Sequence, residues 1–272
     1  MKKSIDQTKK KMGKQSLLLD QFLLFGDSIT EFAFNTNFQA TQGQELYQDG
    51  KINPMHQQFT MGAALTNLYV RRLDILQKGF SGYNSRWALK ILPELLKIYK
   101  NIKMAYIFFG SNDSCLGEMQ HVPIDEYREN TLKLIDIYKQ NGIEKIILIT
   151  PALFNEELWA KNMSEEVQKG YTRSTKDFAR YAEALEQIGS ELNLPVVNLN
   201  KAFTKYADEE LDGKWQDLLC DGLHFSGNGY FVFFNELVKT IDTAYPEMSV
   251  AEIEYNLPNW RNVGKDASNL NF

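Results

Sequence analysis

Phe22-Leu23-Leu24-Phe25-Gly26-Asp27-Ser28 is an apolar run that stops abruptly at Gly-Asp-Ser. The run predicts a short buried strand ending in a tight turn. A serine at that point stands at the carboxyl edge of a sheet, where open α/β folds place their ligands. Taken alone, Gly26-Asp27-Ser28 is equally an ordinary polar turn, because Gly, Asp and Ser are common turn residues. The other strand ends have to decide between these readings.

Working outward, the chain alternates strand and helix patterns. Asp74–Gly79, Met104–Phe109, Ile146–Thr150 and Pro195–Leu199 read as further strands. Between them, Thr60–Val70, Arg86–Tyr99, the segment opened by Pro123 and closed by Asn141-Gly142, and Asp177–Leu192 read as helices. Pro93 is expected to kink or break the second of these. A last helix runs from about Asn228 to Ala244, with Ser226 as a candidate cap. Phe154–Tyr171 is amphipathic and charged, and Lys201–Leu219 reads as helix and loop. Alternation of this kind implies parallel β-α-β units. The expected fold is a three-layer α/β/α sandwich around a five-stranded parallel sheet. Asn35–Gln58 reads as a long polar loop.

No repeat or composition shift divides the chain, so one domain is expected over residues 17–247. Residues 1–16 form a basic arm, read as a solvated, disordered extension. The tail over residues 248–272 is polar, with Tyr255, Leu257 and Trp260 as expected anchors on the body or on a partner subunit.

Composition excludes several function classes. Of 272 residues, 43% are hydrophobic, enough for a full core, and the formal net charge is −5. Six Lys and two Asp in the first twenty residues give +4, so the remainder carries −9. An acidic body argues against a nucleic-acid partner. There is no run of 18 apolar residues, hence no expected membrane span. The lysine-rich start lacks an apolar segment and does not read as a secretory signal. Two cysteines, Cys115 and Cys220, are not a disulfide framework. Together these features suggest a reducing, cytoplasmic setting. His56, His121 and His224 are far apart, and no HxH, HxxxH or CxxC spacing occurs, so a structural zinc site is not expected.

Polar clusters recur where the strands end. They are Gly26-Asp27-Ser28, Gly82 in the turn Gly79–Ser85, and Gly110-Ser111-Asn112-Asp113. A fourth cluster, Asp221-Gly222-Leu223-His224, precedes the last helix. A parallel sheet brings such clusters to one edge. Their chemistry suits acyl transfer. Ser28 is a weak nucleophile until a base takes its proton. His224 can be that base, since an imidazole titrates near ~6.5. Asp221, three residues earlier, can orient His224 and stabilise its cation. The Ser28 and Gly82 backbone N–H groups and the Asn112 side-chain amide can form an oxyanion hole. Gly82 would also leave room for the substrate. Each of these residues alone has an ordinary structural explanation; all of them in this order favour catalysis.

In these four clusters the chain resembles the SGNH, or GDSL, hydrolases. Gly26-Asp27-Ser28 looks like block I, Gly82 like block II, Gly110–Asp113 like block III and Asp221–His224 like the D-x-x-H block V. Longer stretches around these blocks, Leu24–Phe34, Gly79–Leu89 and Asp221–Gly227, together with the tail Asn259–Val263, are similar to the isoamyl acetate-hydrolysing branch of that family. The lysine-rich arm is a departure from it. The resemblance implies a flavodoxin-like SGNH fold, no metal, hydrolysis of short acyl esters of small alcohols, and a homodimer. A lysophospholipase, thioesterase or carbohydrate O-acetylesterase would use the same site. Outside enzymes, a silent binding or scaffold protein and a nucleic-acid- or membrane-docking protein using the basic arm are the alternatives. Phe32, Phe34, Tyr83 and Leu116 are candidates for an acyl pocket, and Cys115 and Cys220 adjoin the site blocks.

Overall fold

The computed structural model describes residues 16–35, 47–48, 51–52, 58–270 and 272. Nearly all of the basic arm and most of the polar loop predicted over Asn35–Gln58 lie outside the described residues. Within that loop, Tyr47–Gln48 and Lys51–Ile52 form a short antiparallel pair.

The central sheet has five parallel strands: β1 (Asp20–Gly26), β2 (Leu73–Gly79), β3 (Ile102–Phe108), β4 (Lys145–Ile149) and β5 (Val196–Val197). Their spatial order is β2-β1-β3-β4-β5. The chain moves from β1 outward to β2, then returns to the other side of β1 for β3. This reversal opens a crevice at the carboxyl ends of β1 and β3. Phe22, Leu23, Leu24 and Phe25 are all wholly buried. Phe22 and Leu24 enter the core on one face of the sheet, Leu23 and Phe25 the core on the other. That two-sided burial is why the strand shows no polar alternation.

The helices, numbered among the described residues, are α1 (Ser28–Glu31), α2 (Met61–Leu68), α3 (Ser85–Ile98), α4 (Ile124–Gln140), α5 (Glu156–Asn162), α6 (Ser164–Gln168), α7 (Thr175–Leu192), α8 (Leu199–Glu210) and α9 (Gly227–Ala244). Helices α2, α8 and α9 cover one face of the sheet, and α3, α4 and α7 the other. The three-layer sandwich expected from the alternation is the observed fold.

Three local expectations need correction. Helix α3 runs unbroken through Pro93. Leu92 and Leu96 are buried on either side of the proline and hold both halves to the same sheet face, against the loss of one backbone hydrogen bond. Strand β5 is two residues long, not five. The Leu199 N–H donates to Thr150 Oγ1 at 2.9 Å and the Lys201 N–H to Asn198 Oδ1 at 2.8 Å, so side chains start helix α8 there instead. In the tail, Trp260 does not pack on the body, being 72% exposed. The body holds the tail instead. Arg71 Nη2 donates to the Leu257 and Pro258 carbonyls, Arg72 Nε to the Ile253 carbonyl, and the Tyr69 hydroxyl to that of Met248. The Tyr255 ring lies against both guanidinium groups.

Candidate active site

The turn after β1 is shaped by backbone chemistry. Gly26 has no room for a side chain, since a Cβ would lie 2.2 Å from Thr30 Oγ1 and 2.7 Å from the Phe108 carbonyl oxygen. Asp27 caps the single turn α1 by accepting from the Ile29 N–H at 3.0 Å. This places Ser28 as the first residue of α1, at the carboxyl edge of β1, with 4% of its surface exposed.

The fourth cluster approaches Ser28 from the loop before α9. The Cys220 N–H donates to the His224 carbonyl at 2.7 Å, closing the loop into a compact turn. Gly222 sits at φ +103°, and a Cβ there would come within 2.6 Å of the Asn155 carbonyl oxygen and the Trp159 nitrogen. Both conditions demand glycine. Asp221 Oδ1 accepts from the Leu223 and His224 N–H groups at 2.9 and 2.8 Å. Its Oδ2 is 2.7 Å from His224 Nδ1, and His224 Nε2 is 2.9 Å from Ser28 Oγ.

Electrostatics fix the protons in this chain. Burial alone would push the Asp221 carboxyl up, but the His224 imidazole and the two backbone N–H groups outweigh it and hold the carboxyl below the ordinary range. A carboxylate only accepts, so Nδ1 donates to it, and in the neutral ring Nε2 is then the acceptor for the Ser28 hydroxyl. The Phe32 ring stands edge-on to the imidazole at 5.4 Å and closes one side of it.

The second and third clusters meet on the other side of Ser28. Gly82 has φ +80°. A Cβ there would touch only Gln120 Nε2, at an ordinary 3.5 Å. Its backbone conformation, more than crowding by the protein, therefore selects glycine. Asn112 is 2% exposed, and its Nδ2 donates to the Tyr83 carbonyl at 2.9 Å. Asp113 accepts from the Ser85 and Gly110 N–H groups at 2.9 and 3.1 Å and ties this loop to the start of α3. Burial pushes Asp113 up to about 6 and Asp27 up to about 7.

Ser28, Gly82, Asn112 and His224 line one cavity of about 540 Å³, with Asp221 buried behind the imidazole. Every predicted site residue is thus brought to the same place. The candidate pocket residues divide. Tyr83 lines the cavity; Phe32 flanks the imidazole; Phe34 and Leu116 are 38% and 59% exposed and do not line it. Trp87, Met119, Trp159, Met163 and Leu223 supply the apolar wall instead. The sequence reading also missed Gln120 and Arg173, which line the cavity from loops without periodicity. Cys115 is fully buried, and burial pushes the Cys220 thiol up to about 12. Among the described residues there is no cluster of metal-ligating side chains, and no helix is long and apolar enough to cross a membrane.

The profile of the family described as GDSL-like lipase/acylhydrolase matches residues 22–237. The isoamyl acetate-hydrolyzing esterase of Saccharomyces cerevisiae is 48% identical over 251 residues, covering 92% of this chain and 98% of that protein. The human isoamyl acetate-hydrolyzing esterase 1 homolog is 32% identical over 265 residues, covering 94% and 93%. Among solved structures, a lipase/acylhydrolase from Enterococcus faecalis superimposes with a TM-score of 0.57 at 25% identity, covering 83% of this chain and 97% of that one. A carbohydrate acetylesterase family member from Sinorhizobium meliloti shares the fold, with a TM-score of 0.57 at 13% identity over 83% and 98%.

Proposed function

The chain belongs to the GDSL-like lipase/acylhydrolase family, and from that premise we propose that it is a serine esterase cleaving short-chain acyl esters, acetates above all, of small alcohols such as isoamyl alcohol. The observation that carries the reading is the Ser28–His224–Asp221 chain of contacts at 2.9 and 2.7 Å. In this mechanism His224 Nε2 takes the Ser28 proton as Oγ attacks the ester carbonyl carbon. Asp221 holds the imidazole and stabilises its cation. The oxyanion accepts from the Ser28 and Gly82 N–H groups and from the free N–H of Asn112. Collapse of the intermediate expels the alcohol, which takes the proton from His224, and leaves an acyl-Ser28 ester. Water, deprotonated by His224, then releases the acid and restores the serine.

The 48% identical yeast esterase supports the choice of substrate, as does a cavity whose apolar wall is interrupted by polar side chains. A carbohydrate O-acetylester is the second reading, favoured by Ser81, Gln120 and Glu166 on the same lining. A cytoplasmic setting and a homodimer belong to this proposal too; sedimentation of the purified protein tests the second.

The decisive experiment is hydrolysis of p-nitrophenyl esters from acetate to palmitate, by wild type and by Ser28→Ala. Acetate or butyrate should be cleaved best, and Ser28→Ala should lose on the order of 10⁶-fold in kcat. Best activity on long chains would replace the substrate by a lipid, and an active Ser28→Ala would overturn the mechanism. Isoamyl acetate beside an acetylated xyloside then separates the two short-acyl readings.

A further inference from the structure

Arg173 is a cation buried beside the cavity, 7% exposed, yet the family motifs contain nothing that asks for it. It lies in the short loop before α7. The Leu116 N–H donates to the neighbouring Thr172 carbonyl at 2.8 Å, and Ser174 caps α7, so its backbone is fixed on both sides. The guanidinium lies 5.3 Å from the centre of the Trp159 ring. Its bonded partners are oxygens of amide groups. Nε donates to the Ser111 carbonyl at 2.8 Å, and Nη2 donates to Asn112 Oδ1 and to Gln120 Oε1, both at 2.9 Å.

Gln120 continues the network. Its Nε2 donates to the Gly82 carbonyl at 2.9 Å and approaches Asn112 Oδ1 at 3.3 Å. Its backbone carbonyl accepts from Asn84 Nδ2 at 2.9 Å. Gln120 therefore bridges the two separate loops that carry Gly82 and Asn112.

A side-chain amide is nearly symmetric in shape, so packing alone does not decide which end is oxygen. A guanidinium decides it, because it donates and never accepts. Arg173 forces the oxygens of both amides toward itself. The Asn112 nitrogen must then face away, one N–H to Tyr83 and the other to the cavity shared with Ser28. The Gln120 nitrogen must likewise face the Gly82 carbonyl, fixing the peptide plane of the second oxyanion donor.

We infer that Arg173, acting with Gln120, is a positioning residue that sets the polarity and spacing of the oxyanion hole. Its charge also lies directly behind the Asn112 amide and polarises it toward a developing anion. The inference rests on the esterase reading above. It predicts that Arg173 serves the transition state and not ground-state binding.

The test measures kcat and KM for p-nitrophenyl acetate in Arg173→Met, Arg173→Lys and Gln120→Met, with Ser28→Ala alongside. Loss of an oxyanion donor lowers kcat by ~10²–10³, so disordering one should cost about 10–100-fold in Arg173→Met. KM should stay within about threefold, as for an interaction made only in the transition state. Added methylguanidinium should restore part of the Arg173→Met rate, and Arg173→Lys should fall between Met and wild type, keeping the charge but losing the fork. Near-UV circular dichroism reports whether each variant folds. If Arg173→Met does not fold, Gln120→Met carries the test, because that side chain is only half-buried; a drop of about tenfold in kcat at steady KM is then the expected result. A folded Arg173→Met, or in its place Gln120→Met, with unchanged kcat would overturn the inference, as would a raised KM at unchanged kcat. Activity in Ser28→Ala would overturn the esterase mechanism and the positioning role of Arg173 with it. A dead Ser28→Ala beside a fully active Arg173→Met would overturn the positioning role alone.

Discussion

Asp221 is the residue whose replacement by its own isostere says most about the site. In Asp221→Asn the amide can present an N–H to His224 Nδ1, which then has to accept and carry its proton on Nε2, facing Ser28. The serine hydroxyl would lose its base, and kcat should fall about 10³–10⁴-fold while the fold persists. Steady-state kinetics beside a melting curve check both halves. Asp27 makes a separate prediction. Its carboxyl is wholly buried and pushed up to about 7 by that burial, with Oδ2 unbonded among the described residues. In the unfolded chain an aspartate titrates near ~3.9. Between these values the folded state binds the extra proton, so stability falls as pH rises from about 4 to 7 and levels off above. The amide introduced by Asp27→Asn carries no charge at any pH in this window. The stability of Asp27→Asn relative to wild type should therefore climb across it, by an amount on the order of 2–4 kcal/mol, read from denaturant melts at each pH. A flat difference would show that Asp27 is not the proton acceptor. At this scale the proposed triad was legible because its members sit in short motifs. Arg173 was not, because it acts through the tip of a long side chain on amides that lie 53 and 61 positions away.

Elements were legible where packing repeats along the chain. The buried stripes of α4 and α7 and the apolar run of β1 follow directly from their burial on the sheet. The misreadings came where one contact outweighs the pattern. Pro93 does not end α3 because Leu92 and Leu96 on its two sides are both in the core. Strand β5 ends early because Thr150 and Asn198 claim the next N–H groups. The seven-residue helix α5 and the loop around Gly222 illustrate the same point in the site itself. Their backbones approach so closely that a Cβ at Gly222 collides with main-chain atoms, which cannot swing aside. A glycine that merely eased a turn would look identical in the sequence.

Across the whole molecule, the two edges of the sheet have separate duties. The carboxyl edge holds Ser28, Gly82, Asn112 and the loop of His224 around the cavity. At the opposite edge, Arg71 and Arg72, just before β2, bind the tail through carbonyl oxygens and the Tyr255 ring. Arg72→Ala removes one such hydrogen bond and one cation–π contact, together about 1–2 kcal/mol. The expected result is a Tm lower by a few degrees with kcat and KM unchanged; a change in kcat would mean that the two edges are coupled. The tail has one further consequence. Asn256 Nδ2 donates to the Ser16 carbonyl at 2.7 Å, so the segment just before β1 touches a point on the tail that straps the body. Between these two points the backbone is in effect a ring with a small gap, fastened on the side away from the cavity. Joining these two points by a brief spacer and opening the chain at the turn around Gly142, where a Cβ would meet no neighbouring atom within 4 Å, would reorder the sequence while keeping every wall of the reaction chamber in place.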